Sequence, residues 1–176
     1  IVKEFVSKMG GTITLSSQKG VGTRFTFTIP FTIDHASQEA ETASQNPVSL
    51  SGLHVLLVED NELNREIALY LLEKEGMEIT TCENGAEALK AFRESPLGYY
   101  DLILMDIMMP VMDGYEASRR IRSLPRRDAS LIPIFAMTAN AFQDDIEKSH
   151  KSGMNEHLTK PLNTKTMLSA IRKYVR

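Results

Sequence analysis

The 176-residue sequence has one cysteine, no tryptophan and no long apolar run, and the cysteine count and the missing apolar run each exclude a class of protein. A lone Cys82 cannot form an internal disulfide, which fits a reducing compartment. No apolar stretch approaches the ~20 residues that a membrane span needs, and the N-terminus lacks the pattern of a signal peptide. We therefore expect no membrane contact by this chain, and any anchor would lie outside it.

The sequence also lacks an excess of positive charge, which argues against a general nucleic-acid-binding surface. Its 20 Lys and Arg residues face 23 Asp and Glu residues, giving a formal net charge of -3, whereas nucleic-acid binders usually carry a basic excess. One local cluster comprises Arg119, Arg120, Arg122, Arg126 and Arg127. It lies on and just after one predicted helix, so we interpret it as a solvated face and expect no nucleic-acid partner.

Residues 1–31 read as a short structured segment. Residues 1–9 place apolar side chains on one helical stripe that ends at two glycines. Residues 12–16 and 23–29 alternate apolar and polar side chains, as the two half-buried strands of a hairpin do. Because one helix and one hairpin are too little to fold alone, we expect the chain to begin partway through a domain.

Residues 32–52 change composition and keep no regular apolar period. They are rich in Ser, Ala, Glu, Gln and Thr and contain one proline. This composition is typical of a flexible linker, and we predict one here.

Residues 53–176 alternate strands and helices five times. Predicted strands occupy residues 53–58, 77–82, 101–106, 132–138 and 154–158, with helices near 62–75, 85–94, 114–123, 143–152 and 164–175. The third and fourth strands are apolar at consecutive positions, which indicates strands covered on both faces, in a parallel sheet between helices. In the first of these helices Leu63, Ile67 and Leu71 recur at helical spacing. The pattern predicts a doubly wound α/β domain.

Polar residues follow the predicted strands where ligands bind in such sheets, at the carboxyl ends. They are Glu59 and Asp60 after the first strand, Asp106 after the third, Thr138 after the fourth and Lys160 after the fifth. Three neighbouring carboxylates repel one another unless a cation neutralises them, and Mg²⁺ prefers oxygen ligands of this kind. Asp106 could then attack phosphorus to form an acyl phosphate, while Thr138 and Lys160 bind phosphoryl oxygens.

Four segments of this part of the chain carry a specific resemblance. VLLVEDNELNREI, DLILMDIMMPVMDGYEA, PIFAMTANA and HLTKP resemble, in order, the signature segments of response-regulator receiver domains. The resemblance implies a flavodoxin-like fold with strand order 2-1-3-4-5 over residues 53–176. It also implies that Asp106 is the phospho-acceptor and that Thr138 supplies the switch hydroxyl. The implied Mg²⁺ ligands are Glu59, Asp60, Asp106 and the main-chain carbonyl of Met108. Lys160 matches the lysine of the family that precedes a cis proline.

Two positions depart from the family pattern. His157 replaces the Tyr or Phe whose ring swings inward on activation, so the form of the switch is open. Met108 and Asn140 lie at the two positions where members of the family tune the rate at which the phosphoryl group is lost. Because a thioether cannot orient an attacking water by hydrogen bonding, we predict a long-lived phosphoryl group on Asp106.

The N-terminal segment resembles the end of the ATP-binding domain of histidine kinases, with Gly20, Gly22 and Thr23 matching its last glycine-rich box. The order of segments is then that of a hybrid sensor histidine kinase, in a cytoplasmic location, with a parent protein that could be anchored in the inner or plasma membrane. The expected partners are the histidine-kinase core of the same protein or a histidine phosphotransfer protein. This chain has neither an ATP site nor a donor histidine, so we expect it to catalyse only its own phosphorylation.

Two other functions remain as alternatives. A degenerate receiver would serve only as a protein-binding module, but it would be expected to lack the acceptor, the acidic pair or the lysine. A phosphatase of the haloacid dehalogenase type also uses a nucleophilic aspartate at a strand end, yet it needs a second Asp where Met108 stands.

Overall fold

The computed structural model describes residues 2–31, 49–139 and 143–175, and the chain divides into two compact units, residues 1–45 and 46–176. The first unit contains helix α1 (Val2–Lys8) and the strands β1 (Thr12–Gln18) and β2 (Gly22–Thr28), which pair antiparallel. The predicted helix and hairpin are therefore confirmed, but the prediction of half-buried strands was wrong, because almost every residue of β1 and β2 is exposed. Val6 is buried, whereas Phe25 and Phe27 of β2 are exposed.

The second unit alternates strands and helices as predicted. Its elements are β3 (His54–Val58), α2 (Glu62–Glu73), β4 (Glu78–Cys82), α3 (Gly85–Glu94), β5 (Leu102–Asp106), α4 (Gly114–Arg122), a 3₁₀ turn (Arg127–Ser130), β6 (Ile134–Thr138), α5 (Gln143–Lys151), β7 (Glu156–Thr159) and α6 (Thr164–Tyr174). Side chains cap several helices: Asn61 accepts from Asn64 N, Asn84 from Ala86 N and Glu87 N, and Asp113 from Glu116 N. These caps satisfy first-turn N–H groups that have no partner within the helix.

The five strands form one parallel sheet in the order β4-β3-β5-β6-β7. Counted within this unit, that is the order 2-1-3-4-5, so the predicted flavodoxin-like architecture is confirmed. The order reverses between β3 and β5, and both of these strands run in the middle of the sheet.

Two apolar layers cover the two faces of the sheet, because successive side chains of a strand point to opposite sides. On one face, alternate residues of β3, β5 and β6 pack with Phe92 of α3 and Ile121 of α4. On the other face, the remaining residues pack with Leu72 of α2 and Ile171 of α6. The consecutive apolar residues of the central strands are explained by this double cover.

Three local features differ from the sequence prediction. The stripe Leu63, Ile67 and Leu71 does not form the buried face of α2, where Ala68 and Leu72 are buried instead and Leu63 and Ile67 are exposed. The last strand is shifted to Glu156–Thr159 from the predicted 154–158. The 3₁₀ turn at Arg127–Ser130 was not predicted.

Residues 49–52, the end of the predicted linker, are part of the second unit and pack with its core, while residues 32–48 lie outside the described residues. Leu50 is only 3% exposed and belongs to the apolar layer that includes Leu72. The main-chain N–H of Gly52 donates to the carbonyl of Gly76 at 2.8 Å. Within residues 2–31, 49–139 and 143–175, none of the helices is long and apolar enough to cross a bilayer.

Candidate functional site

The strand pairing brings the predicted site residues to one edge of the sheet. Val58 at the end of β3 lies opposite Met105, and Asp106 at the end of β5 lies opposite Met137. Residues that directly follow β3, β5 and β6 are therefore neighbours, at the edge where a doubly wound sheet binds its ligands.

Three carboxylates meet at this edge. Ligand oxygens of Glu59, Asp60 and Asp106 all lie within 4.8 Å of one another. Glu59 is 2% exposed and Asp106 is also buried, whereas Asp60 is open to solvent. An oxygen-only donor set with one side open to solvent fits a hard divalent cation, which keeps water among its ligands. The cluster could therefore hold a metal ion.

Lys160 joins two members of this cluster. Its Nζ lies 2.5 Å from Glu59 Oε2 and 2.7 Å from Asp106 Oδ2. The Lys160 main-chain N–H donates to the carbonyl of Thr138 at 2.7 Å, which fixes the start of this loop against the end of β6. The peptide bond between Lys160 and Pro161 is cis. The ammonium group thus supplies the positive charge that two adjacent buried carboxylates require.

Helix α2 holds Glu59 through two consecutive residues. The side-chain amide of Asn64 donates to Glu59 Oε1 at 3.1 Å. The guanidinium of Arg65 donates to the Glu59 carbonyl at 2.9 Å and to Glu83 Oε1 at 3.1 Å. The Glu59 N–H donates in turn to the carbonyl of Cys82. Every polar group of Glu59 therefore has a protein partner.

The loop after β5 is folded tightly around Asp106. The main-chain N–H of Met108 donates to Asp106 Oδ1 at 3.2 Å, and that of Gly114 donates to the Ile107 carbonyl at 3.0 Å. A Cβ atom at Gly114 would collide with the main-chain carbonyl of Asp106, so the start of α4 can approach only because residue 114 is glycine.

Val111 stands at the tip of the same loop in a left-handed conformation, with φ 67°. The Met112 N–H donates to the Pro110 carbonyl at 2.7 Å, which closes a γ-turn around Val111. Such a turn is strained for a β-branched residue. Val111 is 86% exposed and Met108 is 78% exposed, so the loop that follows β5 has two apolar side chains open to solvent.

Burial and Lys160 shift the pKa of the Asp106 carboxyl in opposite directions. Burial raises the pKa of the Asp106 carboxyl above its ordinary value, although the hydrogen bond from Lys160 opposes the rise. Burial would lower the pKa of Lys160, but its bonds to Asp106 and Glu59 outweigh that effect and raise it. The lysine therefore remains a cation beside the carboxylates.

Thr138 and His157 lie in neighbouring strands but at different depths. Thr138 is buried at the end of β6 and pairs with Thr159, whereas His157 is half-buried and pairs with Ala136. A cavity of about 220 Å³ next to Thr138 is bounded by Met108, Tyr115, Asp145 and Lys148, among others. The Lys148 Nζ lies 4.4 Å from the centre of the Tyr115 ring. Asn140 lies outside the described residues.

The arginine cluster is largely engaged within the domain. Arg119 and Arg120 both bind Glu116 at 2.7 Å. Arg122 donates to the carbonyls of Gly153 and Ala129 and to Asn155 Oδ1, and the Arg126–Asp128 pair is partly buried. The prediction of a solvated face was therefore wrong for Arg122 and Arg126, whose guanidinium groups hold loops together.

The structure brings Glu59, Asp60, Asp106 and Lys160 together, with Thr138 at the end of the adjacent strand. Sequence reasoning missed Asn64 and Arg65. Their signal was present, because both lie in the first turn of a helix that begins directly after the acidic pair. Spacing could not reveal which neighbour each would contact.

Curated relatives match nearly all of this chain but extend far beyond it. The aerobic respiration control sensor protein ArcB of Escherichia coli K12 is 37% identical over 179 residues, which is 99% of this chain and 22% of ArcB. Sensor protein EvgS of the same strain is 34% identical over 98% of this chain and 14% of its own length. The chain therefore spans less than a quarter of these relatives.

Two of the similar solved structures contain the receiver domain of a signalling protein. The receiver domain of sensor histidine kinase PA1611 from Pseudomonas aeruginosa, crystallised with a magnesium ion in its active-site cleft, is 35% identical with a TM-score of 0.64; the match covers 70% of this chain and 98% of that one. The receiver domain of Ssk1 from Saccharomyces cerevisiae, crystallised with the histidine phosphotransfer protein Ypd1, is 32% identical with a TM-score of 0.63; the match covers 71% and 90%. Residues 55–172 match the family model of the response regulator receiver domain, and this chain belongs to that family.

Proposed function

We propose that residues 53–176 accept a phosphoryl group on Asp106 from a phosphohistidine, as one step of a phosphorelay in a hybrid sensor histidine kinase. The observation that carries the proposal is the meeting of Asp106 with Glu59, Asp60 and Lys160 at the carboxyl edge of the sheet. A degenerate receiver would be expected to lack one of these groups.

The transfer is a substitution at phosphorus that needs no further reactant. A carboxylate oxygen of Asp106 forms the new P–O bond while the P–N bond of the donor phosphohistidine breaks, and the released imidazole takes up a proton from solvent. Lys160, already 2.7 Å from Asp106, offers an ammonium group to a phosphoryl oxygen. The Thr138 hydroxyl, at the end of the adjacent strand, is proposed to bind another oxygen and to act as the switch.

The proposed metal is Mg²⁺, held by Glu59, Asp60, Asp106 and the main-chain carbonyl of Met108. The all-oxygen donor set and the open side at Asp60 support this choice. When bound, the ion would neutralise charge on the transferring phosphoryl group. Lys160 and the metal would share the same carboxylates, so this lysine is expected to move partly away from Glu59 as the ion binds.

Intact-mass measurement after incubation with Mg²⁺ and acetyl phosphate tests the acceptor. The wild type should gain one phosphoryl group, and Asp106→Asn should gain none because the nucleophilic carboxylate is gone. Asp101→Asn is a matched control, because Asp101 precedes the same strand at the opposite end and its side chain accepts from the His54 N–H, away from the acidic cluster. Labelling that is absent in the wild type, or unchanged in Asp106→Asn, would overturn the proposal and favour the binding-module alternative.

The proposed donor is a helical protein carrying the phosphohistidine, either the kinase core of the same protein or a histidine phosphotransfer protein. The exposed face of α2 supports this partner, because the helix begins just after the acidic pair and exposes Leu63, Ile67 and Tyr70. Ile67 also borders a small cavity of about 50 Å³ whose wall includes Glu59 and Lys160. An apolar surface that adjoins the acceptor would seat a helix with its histidine close to Asp106.

Substitution of Ile67 separates docking from chemistry. Ile67→Ser should slow transfer from phosphorylated Ypd1, or from a phosphorylated kinase core, by about tenfold, the loss expected for a central interface residue. Labelling by acetyl phosphate, which needs no docking, should be unchanged. Leu131→Ser is the control, since Leu131 is also an exposed apolar residue, 74% exposed against 49% for Ile67, but it follows the 3₁₀ turn. Equal transfer rates for Ile67→Ser and the wild type from both donors would refute docking on α2.

We further propose that residues 1–31 are the end of the histidine-kinase ATP-binding domain, joined by residues 32–52 to the receiver. The alignment with ArcB supports this, because it extends over 99% of the chain and thus includes residues before the receiver. The helix and hairpin with exposed Phe25 and Phe27 also suit a piece whose apolar face is covered by the rest of a domain. A cytoplasmic location is the corresponding expectation.

A further inference from the structure

We propose that Asn64 is a positioning residue for the proposed metal site, acting through Glu59; the inference rests on the proposed function. Its basis is a single direct contact, in which the side-chain amide of an exposed helix residue donates to the carboxylate of a buried acid. The Nδ2 to Oε1 distance is 3.1 Å, and Glu59 is 2% exposed.

The two oxygens of Glu59 are assigned to different partners. Oε1 accepts from Asn64, while Oε2 lies 2.5 Å from the Lys160 Nζ, which also binds Asp106 Oδ2. Oε2 therefore faces the acidic cluster and Oε1 faces helix α2. Asn64 keeps the carboxylate in the orientation that presents one oxygen to the cluster, which is how groups behind a metal ligand commonly act.

A glutamate needs such an anchor more than an aspartate does. Its side chain has one more rotatable bond, so its carboxylate has more orientations to lose when it is fixed. The main chain of Glu59 is fixed at its carbonyl by Arg65 and at its N–H by Cys82. These bonds leave the side-chain torsions free, and Asn64 is what restrains the Oε1 end of the carboxylate.

Asn64 is itself placed by the helix cap. Its main-chain N–H donates to Asn61 Oδ1 at 3.0 Å, so it occupies the third position of α2. At that position a longer acidic or amide side chain often reaches back to the cap residue, but here the amide is directed to Glu59. Asparagine is also a poorer helix former than alanine at an exposed site. Helix stability therefore does not account for Asn64, and contact with Glu59 does.

The expected consequence is a metal affinity that depends on Asn64 while the fold does not. In Asn64→Ala the Glu59 carboxylate loses its fixed orientation, and Mg²⁺ should bind about tenfold more weakly. The unfolding temperature without metal should change little, because the gain in helix propensity with alanine offsets the hydrogen bond lost from Glu59 Oε1. Asn64→Gln keeps an amide donor and should recover most of the affinity.

The test is a titration of the full chain with MgCl₂ alone, followed by amide NMR shifts, with thermal unfolding measured on the same samples. Asn84→Ala is the matched control, because Asn84 caps α3 through Ala86 N and Glu87 N. It should lower the unfolding temperature and leave the affinity for Mg²⁺ unchanged.

The outcomes separate this inference from the function on which it rests. A tenfold weaker affinity in Asn64→Ala at unchanged stability, with recovery in Asn64→Gln, supports it. Affinity equal to that of the wild type in Asn64→Ala overturns the inference alone. Parallel losses of affinity and stability in both Asn64→Ala and Asn84→Ala also overturn it, since they indicate a structural role. Absence of Mg²⁺ binding in the wild type overturns the proposed metal site and the inference together.

Discussion

At the scale of single residues, the site is a compromise between burial and charge. Asp106 is buried at the end of an apolar strand, where an unpaired carboxylate would cost several kcal/mol, of the order of 2 to 7 for a polar group without a partner. Lys160 and the Met108 N–H offset this cost through hydrogen bonds to the two oxygens of Asp106. The same burial that makes the carboxylate costly keeps its chemistry away from bulk water.

Met108 is expected to lengthen the life of the phosphorylated form. Its side chain is 78% exposed beside the acceptor loop, and a thioether offers no donor to orient a water for attack on the acyl phosphate. Met108→Asn places an amide there, and we expect the phosphoryl group to be lost about tenfold faster, a barrier lower by about 1.4 kcal/mol. The decay of intact mass after removal of acetyl phosphate measures this rate.

Val111→Asn controls for the introduction of an amide elsewhere on the same loop. Val111 already has the positive φ that asparagine tolerates, so the loop should keep its shape. Decay of Met108→Asn no faster than that of the wild type would refute the proposed effect of the side chain at position 108.

The sequence was sufficient to predict the acid cluster, because its members end or follow strands whose direction the alternating pattern of strands and helices sets. It was insufficient for Asn64, whose contact with Glu59 depends on the rotation of α2 about its axis. The same rotation, which the sequence does not reveal, explains why the predicted apolar stripe of α2 was wrong. Leu63, Ile67 and Leu71 have helical spacing, but the small Ala68 and the neighbouring Leu72 face the sheet. Periodicity identifies a helix more securely than the face that it buries.

At the scale of elements, Arg126 and Asp128 fasten the end of α3 to the 3₁₀ turn. Arg126 donates to the carbonyls of Phe92, Arg93, Ser95 and Pro96, which end or follow α3, and binds both oxygens of Asp128 at 2.7 Å. Its guanidinium also lies over the Phe92 ring. Carbonyls at a helix end lack partners within the helix, so a buried cation there is favourable. The sequence showed only a basic cluster, since all of these acceptors but Asp128 are 30 or more residues away from Arg126.

This pair predicts a pH dependence of stability. The hydrogen bond from Arg126 lowers the pKa of Asp128 from 3.8 to about 2. Since the folded pKa lies below the unfolded one, the stabilisation is fully present above 3.8 and is lost as the pH falls towards 2. Asp128→Asn should therefore lower the free energy of unfolding by about 1 to 2 kcal/mol at neutral pH, allowing for solvent screening of the pair.

Urea unfolding at a series of pH values measures this difference. The difference in free energy of unfolding between Asp128→Asn and the wild type should become smaller as the pH falls below 3.8. Glu94→Gln is the control, because its only described ion pair is an exposed contact of 3.9 Å with Arg93. If the difference in free energy of unfolding stays constant down to the pH of acid unfolding, the charge on Asp128 is not the source of the stabilisation.

At the scale of the whole molecule, the described residues form two units with very different means of support. Both apolar layers of the second unit are built from residues between Leu50 and Val175, and they cover a complete five-stranded sheet. The first unit offers a helix and a two-stranded hairpin, and two-stranded hairpins are marginal alone. The second unit thus has the core of an independent domain, whereas residues 2–31 of the first unit do not form such a core.

Two shortened chains test where the independent domain begins. A chain of residues 46–176 should have the same urea midpoint as the full chain and the same phosphorylation by acetyl phosphate, because it keeps both apolar layers. A chain of residues 53–176, which begins where the sequence pattern places the first strand, loses the buried Leu50 and the Gly52 bond to Gly76. Removing a buried leucine and one hydrogen bond should cost about 2 to 4 kcal/mol, measured as a lower free energy of unfolding. Equal stability of the two shortened chains would show that residues 46–52 belong to the linker. A lower stability of the 46–176 chain than of the full chain would show that residues 1–45 stabilise the receiver.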